Sequence, residues 1–529
     1  MGVLLAAVVV GGLGWLCWLL LRHAKERQQL AGVPCPRSVA VLGHALIVRP
    51  DPEGFINQVM GMANLFYSHG LCLFWLGPKP LCMLFTAPAI EPILTSNKHL
   101  DKGYAYLLLQ EWLGISLLTS DTEVWRPKRK LLTPAFHYDI LKDFVPIFNE
   151  HAQILVEKLR AIPPGTRVEI SSLLTLCALD IICDTSMGRC FGAQEAADSE
   201  YVRAIHDINR IVQHRIKKPQ LWSELVFQRS EWGRQHAACL SVLHSFTRRV
   251  MEEREAELEA AEWKQKPGRR AFLDLLLHLM HEGKMDREDI QPEVDTFMFE
   301  GHDTTSTALT WALHLIGNDA AVQKKLHAEV ERVLPESGPI QTEHLSQLKY
   351  LECVIKESLR LFPSVPLVMR ELGTDQEICG HVLPKGTHVL LNQYSVHRDP
   401  SQWPDPEVFN PDRFLPENSC GRHSFAFVPF SAGSRNCIGQ RFALMKEKVV
   451  LASLLRHFNV HSVEKRCEVR ATVDLILRPL GGVHLSFEPR FSLPFGSTPF
   501  NTPCLPSHVP IGKSLIRYTG NTLRASFSR

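Results

Sequence analysis

Residues 3–21, VLLAAVVVGGLGWLCWLLL, are nineteen consecutive apolar or glycine positions. As a helix rising ~1.5 Å per residue they reach about 28 Å, enough to cross the hydrocarbon core of a bilayer. Positive charge follows at once, at Arg22, Lys25 and Arg27. The positive-inside rule then puts the body of the chain on the cytosolic side and the short N-terminus in the lumen. A cleaved signal peptide is the competing reading, but no charged segment precedes the run and no small-residue cleavage site stands out. The sequence predicts a membrane anchor over residues 1–22. The two prolines of GVPCPRSVAVLGH, Gly32 to His44, predict a stiff, basic and proline-containing hinge over 23–45.

Beyond the hinge the pattern predicts one catalytic domain over 46–489, mainly α with a small β subdomain. Helical periodicity with charged outer faces runs through most of residues 130–360. Strand-like pieces occur at CLFWLG (Cys72 to Gly77), THVLLN (Thr387 to Asn392) and GVHLSF (Gly482 to Phe487). From Arg490 onward the chain turns rich in Ser, Pro, Thr and Gly without sustained periodicity, which predicts a flexible tail over 490–529. Fifty-eight basic against 56 acidic residues leave a net +2, so nucleic acid is not an expected partner. The fourteen cysteines include no C-x-x-C pair, which argues against a zinc framework or a small disulfide scaffold and fits a cytosol-facing setting.

One cysteine stands apart. Phe430, Gly433, Arg435, Cys437 and Gly439 spell F-x-x-G-x-R-x-C-x-G, whose chance occurrence in a chain of this length is on the order of 10⁻⁴. The glycines would let the backbone turn tightly and approach a flat ligand, and exposed backbone N–H groups would stabilise a thiolate and tune its donation to a metal. A buried structural cysteine in a Gly-rich turn is the bland alternative. A second constellation lies on EVDTFMFEGHDTTSTALTWALHLIG, Glu293 to Gly317, with Pro292 expected in the first turn of a long buried helix. Glu300, Asp303, Thr304 and Thr307 fall on one stripe by i+3 and i+4 spacing, costly in a core unless they meet a polar or reactive partner. For Thr304 the competing reading is a hydroxyl satisfied by the carbonyl one turn back.

On these residues the sequence resembles the cytochrome P-450 superfamily of haem-thiolate monooxygenases. WRPKR with Trp125 and Arg129, ESLR with Glu357 and Arg360, and FNPDRF with Arg413 match that family in the right order. The resemblance implies a cytochrome P-450 fold carrying haem b, with Cys437 as proximal iron ligand. It implies haem contacts for Trp125, Arg129, Arg435, Arg370, Phe430, Gly433 and Gly439, and a supporting ion-pair cluster of Glu357, Arg360 and Arg413. On the oxygen side it implies room for dioxygen at Gly301 and a proton relay through Asp303 and Thr304. Arg370 has a surface ion pair as its alternative role.

EVDTFMFEGHDTT and PFSAGSRNCIGQRFA also resemble the family 4 members, the fatty-acid ω-hydroxylases. That resemblance implies a lipid substrate and an ester between Glu300 and a haem methyl, the alternative being a buried glutamate bonded to solvent or backbone. It further implies an endoplasmic-reticulum membrane location and an NADPH-dependent reductase, with cytochrome b5 as an additional donor. No G-x-G-x-x-G unit follows a strand, so the electrons come from outside. Lys128, Lys130, Lys446 and Lys448 would steer an acidic flavoprotein, or else are solvated helix faces. Substrate contacts are expected around residues 104–120, 215–235 and 365–372. Three departures stand out: Ser434 replaces a common proline, Pro127 requires its helix to be just beginning, and the tail is long. The rivals are a haem-thiolate isomerase or dehydratase acting on lipid peroxides, a monooxygenase of an eicosanoid, retinoid or other hydrophobic substrate, a His302–Asp303 metal hydrolase, and a non-catalytic haem carrier or sensor.

Overall fold

The computed structural model describes residues 14, 17, 21–39, 42–195, 199–263 and 271–490. Most of the anchor segment and the tail beyond Arg490 lie outside the described residues. Among the described residues no helix is long and apolar enough to cross a membrane.

The helices that position the site are α1 (Pro52–Leu65), α2 (Thr122–Leu132), α3 (Ile170–Ser186), α4 (Glu200–Lys217), α5 (Arg287–Asn318), α6 (Lys349–Leu361) and α7 (Gln440–His457). α5 runs through the core, with Val294, Met298, Leu309, Leu313 and Ile316 buried, and packs most extensively on α3. It starts earlier than the sequence suggested. The Asp289 N–H donates to the Asp286 carboxylate at 2.8 Å, and Asp289 returns a bond to the Asp286 N–H, a reciprocal cap that opens the helix at Arg287. Pro292 therefore lies inside the helix, where it forfeits one hydrogen bond that this cap and the burial of Ile290 offset. The same correction applies to α2. Asp121 accepts from the Val124 N–H at 3.1 Å, the helix begins at Thr122, and Pro127 sits within it.

The strands are β1 (Leu71–Leu76), β2 (Lys79–Leu84), β3 (Val168–Glu169), β4 (Leu367–Glu371), β5 (Gln376–Ile378), β6 (His381–Leu383), β7 (His388–Asn392), β8 (Phe458–Ser462), β9 (Ala471–Val473), β10 (Leu477–Pro479) and β11 (His484–Pro489). The main sheet has the order β1-β2-β7-β4, with β2 and β7 parallel and the other pairs antiparallel. β3, β11 and β8 form a second sheet; β9–β10 and β5–β6 are hairpins. All three strand-like pieces read from the sequence are strands, and helix outweighs sheet as expected.

The stretch read as a hinge is pinned to the body. Leu30 and Val33 are buried in the cluster that holds Leu73 and Trp75 of β1. The Leu73 N–H donates to the Pro34 carbonyl at 2.7 Å, and the Trp75 N–H to His44 Nδ1 at 2.9 Å. The Arg27 guanidinium lies 4.9 Å from the centre of the Trp75 ring.

Candidate active site

The loop before α7 is shaped by one close approach. Gly433 has φ +71°, and a Cβ there would lie 1.8 Å from the Leu94 carbonyl oxygen, so only glycine fits. The Cys437 N–H donates to the Phe430 carbonyl at 2.9 Å, closing the turn. Ser434, the departure from the family proline, donates its hydroxyl to Asn97 Oδ1 at 2.7 Å and ties the loop to a neighbouring segment. Cys437 is exposed to an internal cavity that Phe430 and Gly439 also line. A Cβ on Gly439 would stand 3.9 Å from the sulfur, in ordinary van der Waals contact.

Burial pushes the Cys437 thiol up to about 12, with Glu300 and Glu447 adding to the effect; a hydrogen bond from the Gly439 backbone and the charge of Arg129 pull the other way. The Gly439 backbone donor acts in the direction the sequence reading expected, and a metal cation bound at the sulfur would displace its proton.

Lys102, Arg129, Arg370 and Arg435 all line this cavity, against the carboxyls of Glu300 and Glu447. Arg435 donates to the Ser120 carbonyl at 2.6 Å and lies 4.8 Å from the Trp125 ring centre, yet its Nε and Nη1 are buried without a partner. Burial and the charge of Arg370 lower its pKa to about 9. Arg129 grips Asn436 of the loop through the carbonyl and Oδ1, each at 2.8 Å. Arg370 is buried, donates to the Met369 carbonyl at 3.1 Å and makes no ion pair among the described residues, so its burial speaks against a surface pair. Lys102 was missed, since it belongs to no motif; burial and the charges of Arg370 and Arg435 hold its pKa well down. A ring of under-partnered cations beside one sulfur fits a flat metal macrocycle bearing carboxylates.

Above the cavity the predicted stripe divides. Glu300 and Thr304 line this cavity and also an adjoining apolar one, so the two spaces meet at these residues. Burial raises the Glu300 carboxyl to about 7; Lys102 opposes and Glu293 adds to the rise. The Thr304 hydroxyl donates to the Glu300 carbonyl at 2.8 Å, the helix-internal bond that was the alternative reading. The Thr304 carbonyl in turn accepts from Ser364 at 2.8 Å.

Asp303 lines neither cavity. Its carboxylate pairs with Arg478 of β10 and accepts from Asn209 of α4 at 3.2 Å. Burial would raise its pKa, but Arg478, His302 and His206 overcome that and hold it below the usual carboxylate value. Thr307 faces a separate polar cavity with Arg478 and His206. Gly301 lines the cavity in front of Cys437, and a Cβ there would lie 2.4 Å from Ile182 Cδ1 of α3. His302 points its Nδ1 at the Met298 carbonyl, so His302 and Asp303 are committed to separate protein partners.

On the other side of the loop, Arg360 grips Glu357 bidentately at 2.7 and 2.8 Å with both side chains fully buried. Arg413 Nε lies 3.5 Å from Glu357 Oε1, and Arg360 also donates to the His397 and Pro406 carbonyls. The ion-pair cluster is assembled as read. The lysine group is not. Lys446 is buried and donates to the Gly301 carbonyl at 2.7 Å; Lys448 is buried on Glu352; Lys128 pairs with Glu293 at 3.0 Å. Lys130 alone of the four is exposed.

A lone sulfur below, a cationic rim beside it and a long helix above define a haem-thiolate enzyme. The family model described as Cytochrome P450 matches residues 33–485, and the chain belongs to that family. It is 46% identical over 485 residues to Cytochrome P450 4V2 of Mus musculus, covering 89% of this chain and 92% of that protein. Identity to Cytochrome P450 4V2 of Homo sapiens is 45% over 501 residues, with 92% and 95% covered. For Cytochrome P450 4c3 of Drosophila melanogaster the figures are 41% over 501 residues, 90% and 94%. The protein is a haem-dependent monooxygenase of family 4, and the family generally takes its electrons from a redox partner.

Proposed function

We propose that this enzyme hydroxylates the terminal carbon of medium- or long-chain fatty acids, using dioxygen and electrons from an NADPH-dependent reductase, with cytochrome b5 as a second donor. The supporting observation is the apolar cavity lined by Phe74, Leu76, Leu81, Met83, Phe299 and Leu390, which opens toward Cys437 past Glu300 and Thr304. Such a wall suits a hydrocarbon chain and fixes which of its carbons reaches the border.

Haem, when bound, supplies oxygen activation and insertion into a C–H bond. Cys437 holds its iron; Lys102, Arg129, Arg370, Arg435 and the Trp125 N–H take its carboxylates. Gly433 and Phe430 fix the loop, Gly439 turns its backbone donor to the sulfur, and Glu357, Arg360 and Arg413 brace the segment beneath. Glu300 would supply the carboxyl of an ester to a ring methyl: that C–O bond replaces a methyl C–H bond, a two-electron oxidation that the haem's own oxygen chemistry would drive, with one proton lost from the methyl and one from the carboxyl. Thr304 releases its bond to the Glu300 carbonyl and passes a proton into the cavity. Asp303, held as a carboxylate by Arg478 and Asn209 on the far side of α5, takes up a proton there and hands it on only when that pairing opens. Residues 1–22 anchor the enzyme in the endoplasmic-reticulum membrane, and residues 23–45 link it to the 46–489 catalytic domain on the cytosolic side. Lys130 remains for reductase docking.

Reconstitution of the full chain with reductase, NADPH and a fatty acid tests this reading, with product position read by mass spectrometry and haem by acid extraction. Terminal alcohol and haem that resists extraction are the expected results. In-chain hydroxylation sinks the ω assignment, and freely extracted haem sinks the ester.

A further inference from the structure

The apolar cavity has one charged region. The last turn of α4 brings Lys217, with Gln213 one turn before it, onto the cavity wall, where Asp474 of the β9–β10 turn also stands. Lys217 is 3% exposed. Its ammonium makes one long hydrogen bond, to the Pro50 carbonyl at 3.4 Å, and lies 4.4 Å from the Phe55 ring centre. No carboxylate among the described residues comes within ion-pair distance; Asp474 and Asp51 act on it only from farther away. Two of three donors on a buried cation thus lack an acceptor, an arrangement that costs free energy unless something supplies one.

Burial lowers the pKa of Lys217 to about 8, which still leaves it mostly charged near neutrality. Asp474 is biased the other way: burial raises its pKa, and its Oδ1 has no hydrogen-bond partner. Lys217 lines the apolar cavity only, whereas Glu300 and Thr304 line both cavities. Between them the wall is hydrocarbon, from Phe74, Leu76, Met83 and Leu390.

We propose that Lys217, assisted by Gln213, receives the carboxylate of the fatty acid, so that the alkyl chain runs along the apolar wall and its methyl end arrives at Glu300 and Thr304. The inference rests on the fatty-acid reading above and gives it a polarity. Lys217 is a positioning residue: it fixes which end of the substrate is oxidised without touching the carbon that reacts.

The test compares laurate with methyl laurate, which keeps the chain and removes the charge. Binding to the haem-loaded full chain is measured by equilibrium dialysis, and product position by mass spectrometry, for the parent, Lys217→Met, Lys217→Gln and Lys217→Arg. The neutral variants should raise the laurate dissociation constant roughly ten-fold or more, leave methyl laurate nearly unchanged and spread hydroxylation inward from the terminus. Lys217→Arg should restore the preference for acid over ester. Two neutral variants are used so that failure of one to fold does not decide the matter. If they keep the parent's acid-over-ester ratio, or lose acid and ester alike, the anchor is overturned while terminal oxidation by the parent still upholds the fatty-acid reading. If the parent neither binds nor oxidises laurate or its ester, that reading falls and the anchor with it.

Discussion

The cavity in front of Cys437 and the apolar cavity beside it share Glu300 and Thr304 but are built by opposite rules. The first draws its polar and ligating groups from short segments in which residue identity is the chemistry: Trp125 and Arg129 on α2, Arg370 on β4, Arg435 and Cys437 in one loop. The second is assembled from Val59 on α1, Phe74 on β1, Met83 on β2, Lys217 on α4, Leu390 on β7 and Ile476 before β10. Its residues matter for where their atoms end, so the space is a shape shared among distant parts of the chain. Single changes near the sulfur should switch the chemistry off, and single changes in the apolar wall should redirect it.

The sharpest way to break that contrast is Cys437→Ser. The reduced carbon monoxide complex should lose its band near ~450 nm, and lipid oxidation should fall below detection. An unaltered spectrum and rate would remove the distinction altogether. Next in size is Glu357→Ala. It strands Arg360, which is fully buried and otherwise bonded only to carbonyls, and breaking a buried pair this way costs about 3–5 kcal/mol. Denaturant unfolding should show that loss, together with weakened haem retention. On the other side of the comparison, Ala105→Phe fills part of the apolar cavity. It should leave the haem spectrum intact while shifting relative kcat/KM from longer toward shorter fatty acids, by the equivalent of about 1–3 kcal/mol. Loss of haem in that variant would show that the two cavities are not separable.

The same contrast governs what could be read from the sequence. The Cys437 loop was legible from residue types at fixed spacing, whereas the Glu357–Arg360–Arg413 cluster was legible only through the resemblance to a known family. The stripe on α5 was only half legible. Helical spacing places Glu300, Asp303, Thr304 and Thr307 on a broad face, but which part of that face meets which cavity depends on Arg478, 175 residues away, which claims Asp303. Lys446 and Lys448 read as surface residues from type alone, whereas packing of α7 buries both. β1 is buried on both faces, so no alternation marks which side chains line a cavity and which fill the core. Of the segments expected to touch substrate, 104–120 and 365–372 do line the apolar cavity; from 215–235 only Ile216 and Lys217 do.

The smallest predicted effect probes both regions by titration. His397 lies beneath the Cys437 loop and accepts the Val428 N–H at 2.9 Å; His388 stands by the apolar cavity, 5.3 Å from the Tyr104 ring centre. Burial, with Arg360 and Arg398, lowers His397 to about 3, and burial with Lys79 lowers His388 to about 4. Both are therefore neutral in the folded protein, while an unfolded chain protonates them near pH ~6.5. Below that pH the unfolded state binds more protons, so this stabilisation is whole above about 6.5 and is lost as pH falls toward the folded values. From pH 6.5 to 5.5 each should cost about 1 kcal/mol, read as a falling denaturant midpoint. His397→Gln and His388→Gln should each flatten that slope by a similar amount, but only His397→Gln should also disturb the haem spectrum, because only its partner belongs to the segment that leads into the sulfur loop. Equal spectral change in both variants would mean that the apolar wall and the loop respond as one body.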